Sequence, residues 1–348
     1  MMQENLEMLS KIQKLRNSFS QKFDPVWKTF IHETYTDFAD AAQLNIGNHT
    51  RPFLVIWGYF IDKEINAVHI SDEIIQLAVD VEAIHKASVI IDDIIDGDTL
   101  RRGKKCMHIE YGEYETVFFA VCMLSKAIKN ANQILDQHPN RQLHSKSIEL
   151  LCDTIYAMCK GAIREITATP NQQIQLENVK EIIDSETAQL IKNSLLMGYL
   201  YTGTENKYVE KIIHIIGRKC GYIFQVMNDL EAFCDPAYIS GYKGNINSDL
   251  LKSRKSIVLP ILYQQCNKEE KAFLMEAVSQ QASDFLDIKN LFDHYDIKTI
   301  IQKDIETTYA SIRKELNELR DLIDNQPWIS AFQIFLNNIK KKYLSVLK

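Results

Sequence analysis

Glu82-Ala83-Ile84-His85-Lys86-Ala87-Ser88-Val89-Ile90-Ile91-Asp92-Asp93-Ile94-Ile95-Asp96-Gly97-Asp98-Thr99-Leu100-Arg101-Arg102-Gly103 is the stretch on which the reading of this sequence turns. Its first half is apolar enough to be buried, and it continues the helical spacing of Ile74, Ile75, Leu77, Ala78 and Val81. It therefore predicts a buried helix that ends in acids. On that helix Asp92 and Asp96 stand one turn apart on one face, with Asp93 about 100° around from Asp92. Carboxylates this close repel unless a cation neutralises them. Their hard oxygens suit Mg2+, which keeps several waters and binds one or two carboxylates together with substrate phosphates. Alone, DDxxD is a short pattern, and a solvent-facing acidic helix end explains it equally well. Arg101 and Arg102 add a second chemistry, because guanidinium groups fit phosphate in a bidentate manner.

Working outward, apolar residues recur at helical spacing almost throughout, and no comparable period-two stretch appears. Turn-favouring breaks fall near residues 45–52, 97–105, 138–141, 169–173, 202–207, 235–249 and 325–328. They divide the chain into about eight to ten helices of ordinary length. No Gly, Ser or Pro linker separates two halves, so the expectation is one all-α domain over residues 1–348. Only 12 Gly and 7 Pro in 348 residues favour long helices over turn-rich sheets.

The net charge of −6 offers no cationic footprint for a nucleic-acid backbone, which excludes nucleic acid as a partner. Seven cysteines form no C-x-x-C pair, and reduced, mostly buried thiols in a cytoplasmic protein are expected. The longest apolar run, Val117 to Leu124, is too short for a membrane span, so no stable membrane insertion is expected. Lys340-Lys341-Lys342 near the carboxyl end reads as a solvated helix face rather than as an anionic-membrane contact.

The order of acids, paired arginines, glycine and then His108 closely resembles the first aspartate-rich motif of the trans-isoprenyl diphosphate synthase family. Further blocks extend the resemblance over roughly residues 45–265. Gly217, Gly221, Phe224 and Gln225 are similar to the glycine-spaced helix ahead of the family's second acidic motif. Lys255-Ser256 and Leu259-Pro260 are similar to the run that follows it. Glu82, His85 and Ser88 match positions before the first motif, and Thr187-Ala188 a helix between the two. The resemblance implies an isoprenoid-synthase type helical bundle around a deep central cavity, with two or three Mg2+ ions between acidic motifs and diphosphate. It implies metal binding and catalysis by Asp92, Asp93, Asp96 and Asp229, and diphosphate contacts from Arg101, Arg102, Lys243, Lys255, Arg51 and His85. Ala87 and Ser88, five and four positions before the first Asp, are small, which in the family leaves room for a long prenyl tail. Phe224 and Gln225 complete the cavity expectation. A homodimer is also implied by the resemblance, although no stripe in this sequence shows it.

Two departures matter. The second acidic motif keeps only Asp229, since the chain reads Asn228-Asp229-Leu230-Glu231-Ala232. The family's basic Gly-Gly-Lys-Arg-x-Arg-Pro block is here Ile46-Gly47-Asn48-His49-Thr50-Arg51-Pro52, which lacks the Lys and first Arg that hold isopentenyl diphosphate, a loss that favours ionisation without ordinary chain elongation. A third basic position is Glu186, for which Lys192 could compensate by reaching back. The expected activity is Mg2+-dependent ionisation of an allylic prenyl diphosphate, followed by transfer to isopentenyl diphosphate or to an aromatic or indole acceptor. A terpene synthase that cyclises its own substrate, and a non-catalytic partner subunit, are the competing expectations.

Overall fold

In the computed structural model, residues 2–41, 44, 47–63, 65, 70–101, 103–138, 140–234, 256–280 and 285–346 are described. Leu15, Phe19, Phe23, Trp27 and Phe30 recur at helical spacing along α1 (Met2–Thr34), and all are buried. Helix α2 (Thr50–Tyr59) is buried over most of its length. Helix α3 (Asp72–Asp96) contains the acidic motif. Ser71 caps it by accepting from the Ile74 amide at 3.3 Å, and Asp72 and Glu73 in its first turn complement the helix dipole.

After α3 a two-residue hairpin, β1 (Leu100–Arg101) with β2 (Lys104–Lys105), pairs antiparallel. It occupies a stretch expected as a plain break, because two paired residues are too few to show a period-two pattern. Then come α4 (Met107–Tyr111), α5 (Glu113–Asp136) and α6 (Arg141–Thr167). Short α7 (Pro170–Gln173) also sits inside an expected break. Thr169 and Gln172 form a reciprocal capping box there, and Pro170 fits the first turn. Helix α8 (Leu176–Ile183) runs through a π turn, Asp184–Ala188, into α9 (Gln189–Tyr201). The order ends with α10 (Lys207–Cys234), α11 (Val258–Gln265), α12 (Lys268–Gln280), α13 (Phe285–His294), α14 (Ile297–Arg320) and α15 (Gln326–Val346). The described helices outnumber the eight to ten expected, because short capped segments were counted as breaks.

Helix α3 is the axis of the fold and packs on α1, α2, α5 and α9. The α2–α9 crossing is close enough to require glycine on both helices. A Cβ on Gly58 would stand 1.9 Å from the Leu195 carbonyl oxygen, and one on Gly198 1.9 Å from that of Val55. The last helix closes the bundle over α2, where the Trp328 indole donates to the Trp57 carbonyl at 2.8 Å. Lys340 on that helix pairs with Glu306 of α14 at 2.5 Å, which makes it part of a helix-to-helix contact. Residues from α1 to α15 share one apolar core.

Two surface features differ from expectation. Helix α5 exposes Tyr114, Phe118 and Val121, and α6 exposes Tyr156, Ile163 and Ile166, each set along one helix face. These stripes were hidden in the sequence because buried Phe119, Ala120 and Met123 interleave with the exposed set. The thiols are less buried than expected: Cys106, Cys220 and Cys266 are buried, but Cys122, Cys152 and Cys159 are exposed. Among the described residues, no helix is long and apolar enough to cross a membrane.

Candidate active site

The run ahead of the acids is buried except for a half-buried strip and, beside it, Ile91. His85, Ser88, Val89, Asp92 and Asp96 are half-buried, whereas Ala83, Ile84, Ala87 and Ile90 lie in the core. At 100° per residue the half-buried set falls on one face of α3. Ser88 is on that face, and its hydroxyl donates to the His85 carbonyl at 2.9 Å. Ala87, expected beside it, is fully buried on the packed side.

Gly97 ends α3 in the left-handed conformation, φ 64°. The Gly97 amide donates to the Ile94 carbonyl at 3.2 Å and the Asp98 amide to that of Asp93 at 3.0 Å, a Schellman ending. That reversal and the following hairpin bring Arg101 back over the end of the helix. Its Nε donates to Asp93 Oδ1 at 2.5 Å, its Nη2 pairs with the same oxygen, and Asp98 lies 3.7 Å away. Asp93 is only 2% exposed. Burial raises its pKa, and Arg101 opposes that rise. The Cys106 thiol is pushed up to about 12 by burial and by Asp93, so it remains protonated against the carboxylate. The motif therefore splits: Asp93 is held inside the protein, while half-buried Asp92 and Asp96 share the open strip.

The block at residues 47–52 reaches this strip through Arg51, whose Nη1 lies 3.0 Å from His85 Nε2. Arg51 is the donor, so that ring nitrogen accepts. His49 turns to Glu82, with Nδ1 3.2 Å from Oε1, and Lys86 Nζ stands 3.9 Å from the same oxygen.

The second acidic position is arranged differently. Thr187 Oγ1 donates to Gln225 Oε1 at 2.9 Å, and Gln225 Nε2 donates to Asp229 Oδ1 at 2.8 Å. The Ile257 amide donates to Asp229 Oδ2 at 2.7 Å, so both carboxylate oxygens have partners at the start of α11. Asn228 is exposed beside it. Lys192 donates to Gln189 Oε1 at 2.9 Å, and burial, with Arg218 adding to it, lowers its pKa to about 8. Phe224 is half-buried and faces a separate cavity toward α1 and α15. Arg102, Lys243 and Lys255 lie outside the described residues.

Among the described residues, no three Asp, Glu, His or Cys side chains converge into a ready metal cage. Asp92 and Asp96 supply the two hard carboxylates that suit a divalent cation whose remaining ligands are water and phosphate, so the donors present fit Mg2+. Sequence reasoning missed Asp98 and Cys106. Both lie on the chain reversal that Gly97 signals, and both bear on Asp93.

The sequence matches the polyprenyl synthetase family over residues 32–295. Heptaprenyl diphosphate synthase component 2 of Bacillus subtilis is 28% identical over 62% of this chain and 57% of the relative. The short chain isoprenyl diphosphate synthase of Methanocaldococcus jannaschii is 24% identical over 75% of this chain and 76% of the relative. The chain thus spans less than two thirds of the first relative's length. In fold, it is similar to a decaprenyl diphosphate synthase from Rhodobacter capsulatus, with TM-score 0.76, 15% identity, and coverage of 94% of this chain and 99% of the other. A polyprenyl synthase from Caulobacter crescentus, solved with calcium and isoprenyl diphosphate, gives TM-score 0.73 at 17% identity and covers 97% of this chain and 98% of the other. The expected all-α isoprenoid-synthase bundle is what the structure has, and this chain belongs to the polyprenyl synthetase family, a family of prenyltransferases.

Proposed function

We propose that this chain ionises an allylic prenyl diphosphate and joins its hydrocarbon to isopentenyl diphosphate, releasing diphosphate and a longer prenyl diphosphate. The observation that carries this reading is the capture of Asp93 by Arg101, which leaves Asp92 and Asp96 one turn apart on the open strip of α3. The printed functions of the relatives, prenyl diphosphate synthases of several chain lengths, support elongation over cyclisation.

Asp92 and Asp96 would hold Mg2+, and the cation would neutralise the diphosphate as the carbon–oxygen bond breaks. Calcium in the Caulobacter relative supports a divalent ion in this family. Arg101 and Asp98 fix Asp93, so the end of α3 keeps its shape while charge moves beside it. Arg51 and His85 extend the polar strip toward the second substrate, and Arg102, Lys243 and Lys255 complete the diphosphate grip. Asp229 is assigned to holding α10 against α11, with any metal contact through water. Val89 and Ile91, half-buried near the acids, would help to keep water from the cation formed on the allyl group. The whole chain acts as one domain in this reading. The apolar stripes of α5 and α6 receive a second copy of the chain, and Phe118→Asp is expected to give a monomer by light scattering.

The decisive incubation uses Mg2+ and geranylgeranyl diphosphate, with and without isopentenyl diphosphate. Longer diphosphates only when both are present support elongation. A hydrocarbon or alcohol from the allylic substrate alone supports the cyclase reading, and no diphosphate release from any allylic substrate by folded protein sinks both.

A further inference from the structure

The block at residues 47–52 lacks the cations expected to hold a second diphosphate, yet a cation from elsewhere stands over it. Arg16 of α1, 32 positions before Asn48, donates through Nη2 to the Asn48 carbonyl. Its guanidinium carbon lies 4.5 Å from the Phe53 ring centroid and 5.6 Å from that of Phe19. Two aromatic faces and one carbonyl thus hold the group in place.

Arg16 also lines a cavity of ≈ 220 Å³, together with Asn48, Thr50, Phe53, Phe224 and Phe335. Two walls come from the block itself and one from Phe224, next to Gln225 on α10. Phe335 closes it from α15. The space is below the ~300–1,000 Å³ typical of drug-sized ligands, which suits a five-carbon diphosphate better than a long prenyl chain.

Arg16 has no carboxylate in direct contact among the described residues. The acids that act on it, Asp24 and Glu82, do so only through space. Glu82 is itself engaged with His49 and Lys86. A guanidinium has five donors, and one carbonyl uses a fraction of them. Burial pulls the Arg16 pKa below its ordinary value, and Asp24 and Glu82 offset only part of that shift.

We propose that Arg16 holds the diphosphate of the second, five-carbon substrate and replaces the cations missing from the block at residues 47–52. This rests on the elongation reading above. An arginine at this place gives the planar, bidentate phosphate contact that the lost Lys and Arg would have given. It also gives the amino- and carboxyl-terminal helices a function, since each supplies a wall of the pocket. Arg51, in the same block as Asn48 and Thr50, touches His85 on the strip that carries Asp92.

The test measures wild type, Arg16→Gln, Arg16→Lys and the exposed control Lys14→Ala. Michaelis constants are taken for isopentenyl diphosphate and for the allylic substrate, and isopentenyl diphosphate affinity is taken by calorimetry. Loss of a charge-assisted contact predicts a rise of about tenfold to a hundredfold in the isopentenyl constants for Arg16→Gln. The allylic constant should rise less than about twofold, Arg16→Lys should fall between, and Lys14→Ala should match wild type. Folded Arg16→Gln with unchanged isopentenyl affinity, or with equal rises for both substrates, overturns the proposal. If Arg16→Gln does not fold, Arg16→Lys carries the same comparison, and an unchanged isopentenyl constant overturns it. Wild-type elongation with an unaffected Arg16 variant removes this role and leaves elongation standing. Wild type that releases allylic diphosphate but neither binds nor incorporates isopentenyl diphosphate removes both.

Discussion

Two helix ends carry the acids of this protein, and they use them in opposite ways. At the end of α3, Gly97 turns the chain and Arg101 folds back onto Asp93, so one acid becomes part of the scaffold and Asp92 and Asp96 stay on the open strip. Near the end of α10, the retained acid itself is the scaffold: Asp229 takes one bond from Gln225 and one from the Ile257 amide. The difference comes from where the neighbouring donors are. A guanidinium eight residues away bonds directly to one carboxylate, Asp93, and draws it into the protein. At Asp229 a side-chain amide and a main-chain amide each bond to one of the two oxygens. A matching motif letter therefore does not fix what that carboxylate does.

The largest effect should come from emptying the first site. Asp92→Ala with Asp96→Ala is expected to lower turnover at least about a thousandfold, because it removes the charge stabilisation of the leaving diphosphate. The melting temperature should hold or rise, since two like charges are removed from one face. Full turnover by that double variant would refute the assignment. Arg101→Ala should come next, with about 3–5 kcal/mol lost in denaturant unfolding, because Asp93 is left buried without its partner. A loss under about 1 kcal/mol would mean that Asp93 reaches water without Arg101.

Asp229→Ala should cost less stability, about 1–3 kcal/mol, by leaving the Ile257 amide and Gln225 without their acceptor. Its turnover should fall less than that of the double variant. If instead Asp229→Ala abolishes turnover at full stability, the contrast between the two helix ends fails and Asp229 is a direct ligand.

What the sequence made legible is mostly local. The helix ending in acids, its stop at Gly97 and the nearby arginines all lie within one reversal of the chain, so spacing and turn chemistry suffice to expect them. That Arg101 pairs with Asp93, instead of pointing wholly at a ligand, depends on hairpin geometry that spacing alone does not give. Asp229 was legible as an acid after Phe224-Gln225, but its partner amide lies 28 residues on. Arg16 was illegible because the helix that carries it matches no motif, and its contact with the block is set by aromatic packing at Phe19 and Phe53. The missing cations in the block read from sequence as an argument against elongation. If Arg16 holds the second diphosphate as proposed, α1 supplies the cation that the block lacks. The stripes on α5 and α6 show the reverse case, being present in the spacing but masked by the core positions between them.

Lys192 gives the smallest and most specific prediction, because sequence reasoning gave it a role at the diphosphate that its contacts do not support. It is 5% exposed, bonds to Gln189, and sits near Arg218, Asp184 and Asp153. Burial lowers its pKa to about 8, whereas an unfolded lysine keeps its proton to about 10.4. Between those values the unfolded chain binds more protons than the folded one, so this group makes unfolding harder as pH rises. Below about pH 8 the folded state carries the full cost of a half-dry ammonium. Lys192→Met is therefore expected to be more stable than wild type at pH 7 by roughly 1–2 kcal/mol, with the gain fading by pH 10. Neither Michaelis constant should move by more than about twofold if the ammonium makes no substrate contact. A Michaelis constant raised about tenfold would return Lys192 to the diphosphate, and with it the compensation for Glu186.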